Sequence, residues 1–218
     1  MNKTRKRVAS LLMVMVLSVS CLIPANAYAA LNYVQNWNDG IGTVYFSNNG
    51  KGNFSIQWSN AGNFVCGVGW NPGSTNRRLG YNVGAISSTG SGFAGLYGWT
   101  RNPLIEYYVV EVYPNGRKPV PPNASFKGTV YSDGGSYEIY TSMRYSQPSI
   151  DGPATFQQFW SIRSQSNTVG QNHTITFANH VNAWRNAGMY LGSSMAYQAF
   201  VGEGYNSSGY VNATAWES

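Results

Sequence analysis

The chain of 218 residues carries little charge: only 10 % of it is Asp, Glu, Lys or Arg. Aromatics make up 15 %. That balance excludes a disordered chain, which would be rich in charge and poor in rings. Ala, Glu, Lys and Leu in a regular period are also lacking, so a coiled coil or long-helix protein is excluded. The two cysteines and two histidines form no cluster with zinc-ligand spacing. No G-x-S-x-G occurs, which removes the nucleophile elbow of α/β hydrolases. The formal charge of +6 suggests an anionic partner until its location is read. Lys3, Arg5, Lys6 and Arg7 are four of the fourteen basic residues, which leaves ten basic against eight acidic beyond residue 29. No electrostatic case for nucleic-acid binding survives that count.

Those four cations open a segment with the three parts of a secretory signal. An apolar run from Val8 to Ile23 follows, then small residues at Ala25-Asn26-Ala27 and Ala27-Tyr28-Ala29. The run is shorter than the ~20 residues of a membrane span. The expectation is a signal peptide over residues 1–29, cleaved after Ala27 or Ala29, with an uncleaved N-terminal anchor as the alternative. Residues 30–218 would then be one exported, extracellular domain, free of the membrane after cleavage and monomeric. Cleavage leaves Cys66 as the sole cysteine, so packing and hydrogen bonds must hold the fold without an internal disulfide.

From Leu31 onward there is no linker, charge block or repeat. Short aromatic and β-branched runs alternate with Gly, Asn, Ser and Pro clusters, the pattern of an all-β sandwich. Predicted strands include Thr43 to Phe46, Phe54 to Trp58, Phe64 to Trp70, Leu104 to Tyr113, Tyr137 to Arg144, Thr155 to Arg163 and Met195 to Gly202. Turn chemistry separates them at Asn48-Asn49-Gly50, Asn71-Pro72-Gly73 and Ser132-Asp133-Gly134-Gly135. Over residues 179–189 the period changes: Val181, Trp184 and Ala187 fall at helical spacing, and Gly188 fits a C-terminal cap. One helix packed against sheets is expected. The G-x-G-x-x-G at Gly90 to Gly95 precedes strand-like Leu96 to Trp99 instead of a helix, so it reads as a glycine-rich hairpin connection without a phosphate site.

Chemistry is left to eight carboxylates. Asp39, Asp133 and Asp151 each precede Gly in turns, where Asp serves the backbone. Glu217 is next to the C-terminus, and Glu138 reads as a solvent-facing strand residue. Glu106 and Glu111 share a strand five positions apart, so they point to opposite faces. Leu104, Tyr108, Val110 and Val112 alternate onto the face of Glu106, where a carboxylate is costly unless paired or used. Glu203 is set between Gly202 and Gly204, with Tyr197, Ala199, Val201 and Tyr205 in its alternation set. Two glutamates on separate strands of an aromatic-rich sheet suggest a sugar-cleaving pair, one carboxyl to protonate the leaving oxygen and one to attack or to activate water. On spacing alone, a simple ion pair of either Glu with an arginine such as Arg144 stands beside that reading.

Pro103-Leu104-Ile105-Glu106-Tyr107-Tyr108 and Gly202-Glu203-Gly204-Tyr205-Asn206-Ser207-Ser208-Gly209 resemble the two signature segments of family 11 glycoside hydrolases, the small endo-1,4-β-xylanases. Gln35-Asn36-Trp37, Gly62-Asn63-Phe64, Leu96 to Arg101, Tyr131 to Gly135, Arg144, Gln147 to Gly152 and Asn179 to Trp184 follow in family order, so the resemblance covers the chain from about residue 32 to its end. It implies a β-jelly roll, a sandwich of two curved antiparallel sheets with one α-helix, whose concave sheet forms a cleft for xylan and xylo-oligosaccharides. It implies Glu106 as nucleophile and Glu203 as general acid/base of a retaining double displacement, with no metal or organic cofactor.

The substrate-binding positions implied are Trp37, Asn63, Tyr97, Tyr108, Arg144, Gln158 and Tyr205, with Pro148 and Ile150 in a thumb loop that closes over substrate. Asn at position 63 goes with neutral-to-alkaline optima in the family. Three departures stand out: Gly202 in place of a common Thr, which would loosen the strand; Val68 in place of a common Lys; and a long segment from Pro114 to Ala124 with four prolines, which would alter one cleft edge. A non-catalytic xylan-binding protein and an endoglucanase on a related jelly roll are the rival readings.

Overall fold

A computed structural model describes residues 30–218, so the expected signal segment lies outside the described residues. Eleven strands and one α-helix follow in the order β1 (Tyr33–Asn38), β2 (Thr43–Gly50), β3 (Asn53–Trp70), β4 (Arg78–Ser88), β5 (Ser91–Arg101), β6 (Ile105–Val112), β7 (Ser125–Ser132), β8 (Gly135–Gln147), β9 (Ala154–Arg163), β10 (Asn172–Thr176), α1 (Phe177–Asn186) and β11 (Ser194–Glu217). The fold is an all-β jelly roll with a single helix, as the sequence predicts.

Two long strands fold one curved sheet into two layers. β3, of 18 residues, pairs with β2 through its first half and with β1 through its second. β11, of 24 residues, pairs with β5 early and β4 late, and with β3 along most of its length. The inner layer runs β1-β3-β11-β5-β6-β9-β8-β7, and β2, β4 and β10 join the outer halves. Phe64 to Trp70 and Phe54 to Trp58 are therefore one strand, bent where Asn60 takes φ +49°.

Alternation then sorts the side chains. Phe54, Ile56, Leu79, Tyr81, Val83 and Val211 of the outer layer meet Cys66, Val68, Leu96, Tyr107, Val109 and Phe200 of the inner layer in the main core. The opposite face of the inner layer gathers a second cluster that includes Phe93, Tyr97, Trp99, Tyr108, Val110, Trp160 and Tyr197. Val112 joins the main core and not the face of Glu106, because β6 bulges at Glu111, the extra residue between Val110 and Val112, which pair with adjacent Gly95 and Ala94 of β5. Val68, at a departure from the family pattern, is a buried core residue.

The helix buries Phe177, His180, Val181 and Trp184. Phe177 stacks on Tyr107, and Trp184 meets Phe159 edge-on, which props β6 and β9 from behind. The helix starts two residues before the predicted position, where Asp133 of the β7–β8 turn accepts from both the N–H and the hydroxyl of Thr176 at 2.8 Å. A carboxylate at a helix N-terminus is favourable. The end is set by Gly188 at φ +76°, whose left-handed conformation closes the cap. Asp133 thus serves the helix as well as its own turn.

Candidate active site

The inner face encloses a cleft of about 880 Å³, and all eleven predicted site residues line it: Trp37, Asn63, Tyr97, Glu106, Tyr108, Arg144, Pro148, Ile150, Gln158, Glu203 and Tyr205. Strand register explains the gathering. Trp37, Val65, Glu203 and Phe93 form one row across β1, β3, β11 and β5. Trp99, Glu106, Gln158 and Ser142 form another across β5, β6, β9 and β8. Asn63 is two residues from Val65, the direct partner of Glu203, and opposite Tyr205, which puts it on the same face.

Glu106 is held on both oxygens. The Tyr97 hydroxyl donates to Oε1 at 2.9 Å and the Gln158 amide to Oε2 at 2.6 Å. Trp99 Nε1 donates to the Tyr97 hydroxyl at 2.6 Å, and Ser142 donates to the Gln158 carbonyl at 2.9 Å, so each donor is itself oriented. Burial pushes the Glu106 carboxyl above the ordinary range, opposed by donors from Gln158, Tyr97 and Tyr108 and by the Arg144 charge. Glu203 is pushed well above its ordinary range, first by burial and then by the negative charge of Glu106, with relief from Arg144 and Tyr108. Its Oε2 is buried without a hydrogen-bond partner among the described residues. The Tyr108 hydroxyl reaches both carboxylates. Its ring stacks on Trp160 with centroids 3.7 Å apart.

The geometry departs from a simple ion pair. Among the described residues neither glutamate forms a salt bridge with Arg144, whose guanidinium donates to Gln147 at 3.2 Å. The arginine acts on both carboxylates through its field. The result is one carboxylate held by fixed donors and a second beside it whose protonated form burial and the neighbouring charge favour, an arrangement suited to attack by one group and proton donation by the other. No group of three or more His, Cys, Asp or Glu among the described residues is placed to hold a metal.

A match to the family model of glycosyl hydrolases family 11 spans residues 29–214. The chain belongs to that family. Family 11 relatives include Endo-1,4-beta-xylanase 3 of Pyricularia oryzae, 51 % identical over 183 residues that make up 84 % of this chain and 75 % of the relative. Endo-1,4-beta-xylanase 2 of Humicola insolens is 48 % identical over 79 % of this chain and 73 % of its own. A solved structure from a comparison of two major endo-1,4-beta-xylanases of Trichoderma reesei superposes with a TM-score of 0.76 at 39 % identity, covering 86 % of this chain and 99 % of the other. This family 11 chain is accordingly a glycoside hydrolase with the jelly-roll fold.

Several cleft residues escaped the sequence reading. Trp99 and Trp160 lie two positions from Tyr97 and Gln158, and the period of two would have found both. Tyr33 and Tyr197, stacked at 4.4 Å, come together only through pairing of distant strands. Three expectations are corrected. Asp151 does not merely serve its turn: it takes a bidentate contact from Arg101, clipping the thumb tip to β5. Glu138 is half-buried, bound to Lys118 and the Tyr140 hydroxyl, instead of facing solvent. Gly202 does not loosen its strand: a Cβ there would lie 2.6 Å from Val211 and 2.9 Å from Ile56, so the outer layer already fills the space. The segment Pro114 to Ala124 contributes Pro119, Val120, Pro121 and Pro122 to the cleft wall.

Proposed function

We propose that this family 11 chain is a retaining endo-1,4-β-xylanase acting on xylan and xylo-oligosaccharides. The names of its relatives support the substrate, and the unequal environments of Glu106 and Glu203 support the mechanism. In the first displacement a Glu106 oxygen attacks the anomeric carbon as the glycosidic bond breaks, and Glu203 gives its proton to the leaving oxygen. Glu106 is then a neutral ester, so Glu203 loses its negative neighbour and its pKa falls. In the second displacement Glu203 takes a proton from water, whose oxygen attacks the anomeric carbon and releases Glu106. Retention calls for carboxyls ~5–5.5 Å apart, too close for an intervening water.

Tyr97, Gln158 and Tyr108 orient the nucleophile, Arg144 balances the paired charges, and Trp37 and Tyr205 offer exposed rings at the cleft mouth. Asn63 adds no further carboxylate beside Glu203. Export as a monomer, guided by residues 1–29, completes the reading.

The observation that carries this function is Glu106, bonded on both oxygens, beside Glu203, whose Oε2 lacks a hydrogen-bond partner among the described residues. Proton NMR of the anomeric signals during hydrolysis of linear β-1,4-xylan tests it. Initial β-anomeric product from the native chain, absent with Glu106→Gln, is the expected result. Initial α product overturns the nucleophile role. Xylan binding without product turns the chain into a binding protein.

A further inference from the structure

β8 leads into the thumb. It runs from Gly135 to Gln147, the chain turns over the cleft at Pro148 and Ile150, and β9 returns from Ala154. The two strands pair with Ser142 beside Gln158 and Thr141 beside Phe159. β9 pairs in turn with β6, which sets Gln158 beside Glu106. One register row therefore runs from the nucleophile to the thumb-bearing strand, and it ends at Ser142.

β8 grips residue 158 twice. The Thr141 hydroxyl donates to the Gln158 main-chain carbonyl at 3.1 Å, and the Ser142 hydroxyl donates to the side-chain Oε1 at 2.9 Å. From the other end of the same amide, Nε2 donates to Glu106 Oε2 at 2.6 Å. Ser142 and Gln158 are both buried. Gln158 lines the cleft and Ser142 does not, so the serine meets the glutamine and not the space a substrate fills.

A glutamine ends in an amide whose two sides are alike in size, so its partners decide how it is aimed. Glu106 holds Nε2 while it is ionised. That hold weakens once the carboxylate becomes a neutral ester, whereas the Ser142 bond does not depend on the charge of Glu106. A donor on the amide oxygen also polarises the amide and strengthens its N–H, so the two bonds reinforce one another. Without the serine hydroxyl the buried Oε1 loses its donor, which is costly, and the amide swings to find another. The bond to Glu106 then weakens, although the strand ladder and Thr141 still hold the Gln158 backbone.

We propose that Ser142 is a positioning residue of the reaction: its hydroxyl holds the Gln158 amide against Glu106 and so aims the nucleophile from the strand that bears the thumb. This rests on the xylanase reading above, and Ser142 acts only through Gln158. Gln158 is foremost among the donors that oppose the effect of burial on Glu106, so a weaker bond leaves that carboxyl easier to protonate.

The test is a pH profile of kcat and KM on linear β-1,4-xylan for the native chain and for variants at positions 142 and 158. In Ser142→Ala, kcat is expected to fall about two- to tenfold with KM nearly unchanged, and the acid limb of kcat/KM to move to higher pH. Ser142→Thr keeps the hydroxyl and is expected to keep the native limb. In a Gln158→Ala background, Ser142→Ala is expected to add nothing. Thermal unfolding shows whether each variant is folded. An acid limb that stays in place in folded Ser142→Ala overturns the role. So does a folded Ser142→Thr that titrates like the alanine variant, or an equal second shift in the Gln158→Ala background. Should Ser142→Ala fail to fold, Ser142→Cys, whose thiol is a weaker donor, takes its place under the same criteria. A native chain inactive on linear xylan brings down the xylanase reading instead, and the positioning role with it.

Discussion

Glu106 and Gln158 stand side by side on the parallel strands β6 and β9, and the Gln158 amide donates to Glu106 Oε2 at 2.6 Å. The same carboxylate takes the Tyr97 hydroxyl on its other oxygen. Burial raises the Glu106 pKa, and these donors pull it back by favouring the charged form. Loss of either donor therefore raises it further. In Gln158→Ala and Tyr97→Phe the acid limb of the kcat/KM profile is expected to move to higher pH. A hydrogen bond to a charged group is worth ~1.5–3 kcal/mol, or roughly ten- to a hundredfold in rate if it survives into the transition state. A pH–rate profile of each variant on xylan checks both; an acid limb that stays in place rejects the role.

Arg101 and Asp151 tie the thumb tip to the end of β5 through a bidentate contact, and both side chains are almost half exposed. Water and salt screen such a pair, so it contributes little to global stability. Asp151→Asn is expected to leave the Tm nearly unchanged while raising KM for xylan several-fold. Added salt should raise the native KM toward the variant's and leave the variant indifferent. Equal salt responses would show that the clip does not set thumb position.

Gly202 has its back to the outer layer while its neighbour Glu203 faces the cleft. A threonine at position 202 would drive its Cβ into Val211 and Ile56, and overpacking of this kind costs ~1–3 kcal/mol. Gly202→Thr is expected to lower the Tm, and Val211→Ala in the same chain should restore part of it. Thermal unfolding of Gly202→Thr, Val211→Ala and the double variant checks the prediction; an additive second loss would contradict it.

His180 is fully buried on the helix, edge-on to the Tyr137 ring, and neither ring nitrogen has a hydrogen-bond partner among the described residues. Burial lowers its pKa from 6.5 to about 4, with Asp133 opposing and Arg163 assisting. The folded chain thus binds this proton less readily than the unfolded chain. Its contribution to stability is complete above pH 6.5 and is lost as pH falls toward about 4. His180→Phe is expected to flatten the fall in Tm across that window. An unchanged slope would assign the acid sensitivity elsewhere.

Much of this was legible in residue order. Alternation put Glu203 with Tyr197, Ala199 and Val201, and all four are found on the cleft side. The five-residue offset put Glu111 on the face opposite Glu106, where it is buried and accepts from the Tyr81 and Tyr137 hydroxyls at 2.7 Å. Strands β4 and β5 were harder to read because their glycines resemble turn signals. Gly95 lies where a Cβ would be 2.2 Å from the Val109 carbonyl oxygen, and Gly80 lies under the Trp216 ring. Those glycines serve close approach within a curved sheet, which local sequence does not distinguish from a turn.

The sequence by itself determined the strand class, the helix cap at Gly188, the two motif glutamates and the family. Each depends on short-range periodicity, backbone chemistry or a contiguous motif. Tertiary structure alone decided which partners each group would have. It set Gln158 and Tyr97 on Glu106, left Glu203 with an oxygen unpaired among the described residues, clipped Asp151 to Arg101, and turned a proline-rich connection into a cleft wall. These contacts join residues far apart in the chain. Their existence depends on register and on the curl of one long sheet, and burial then fixes what each proton costs.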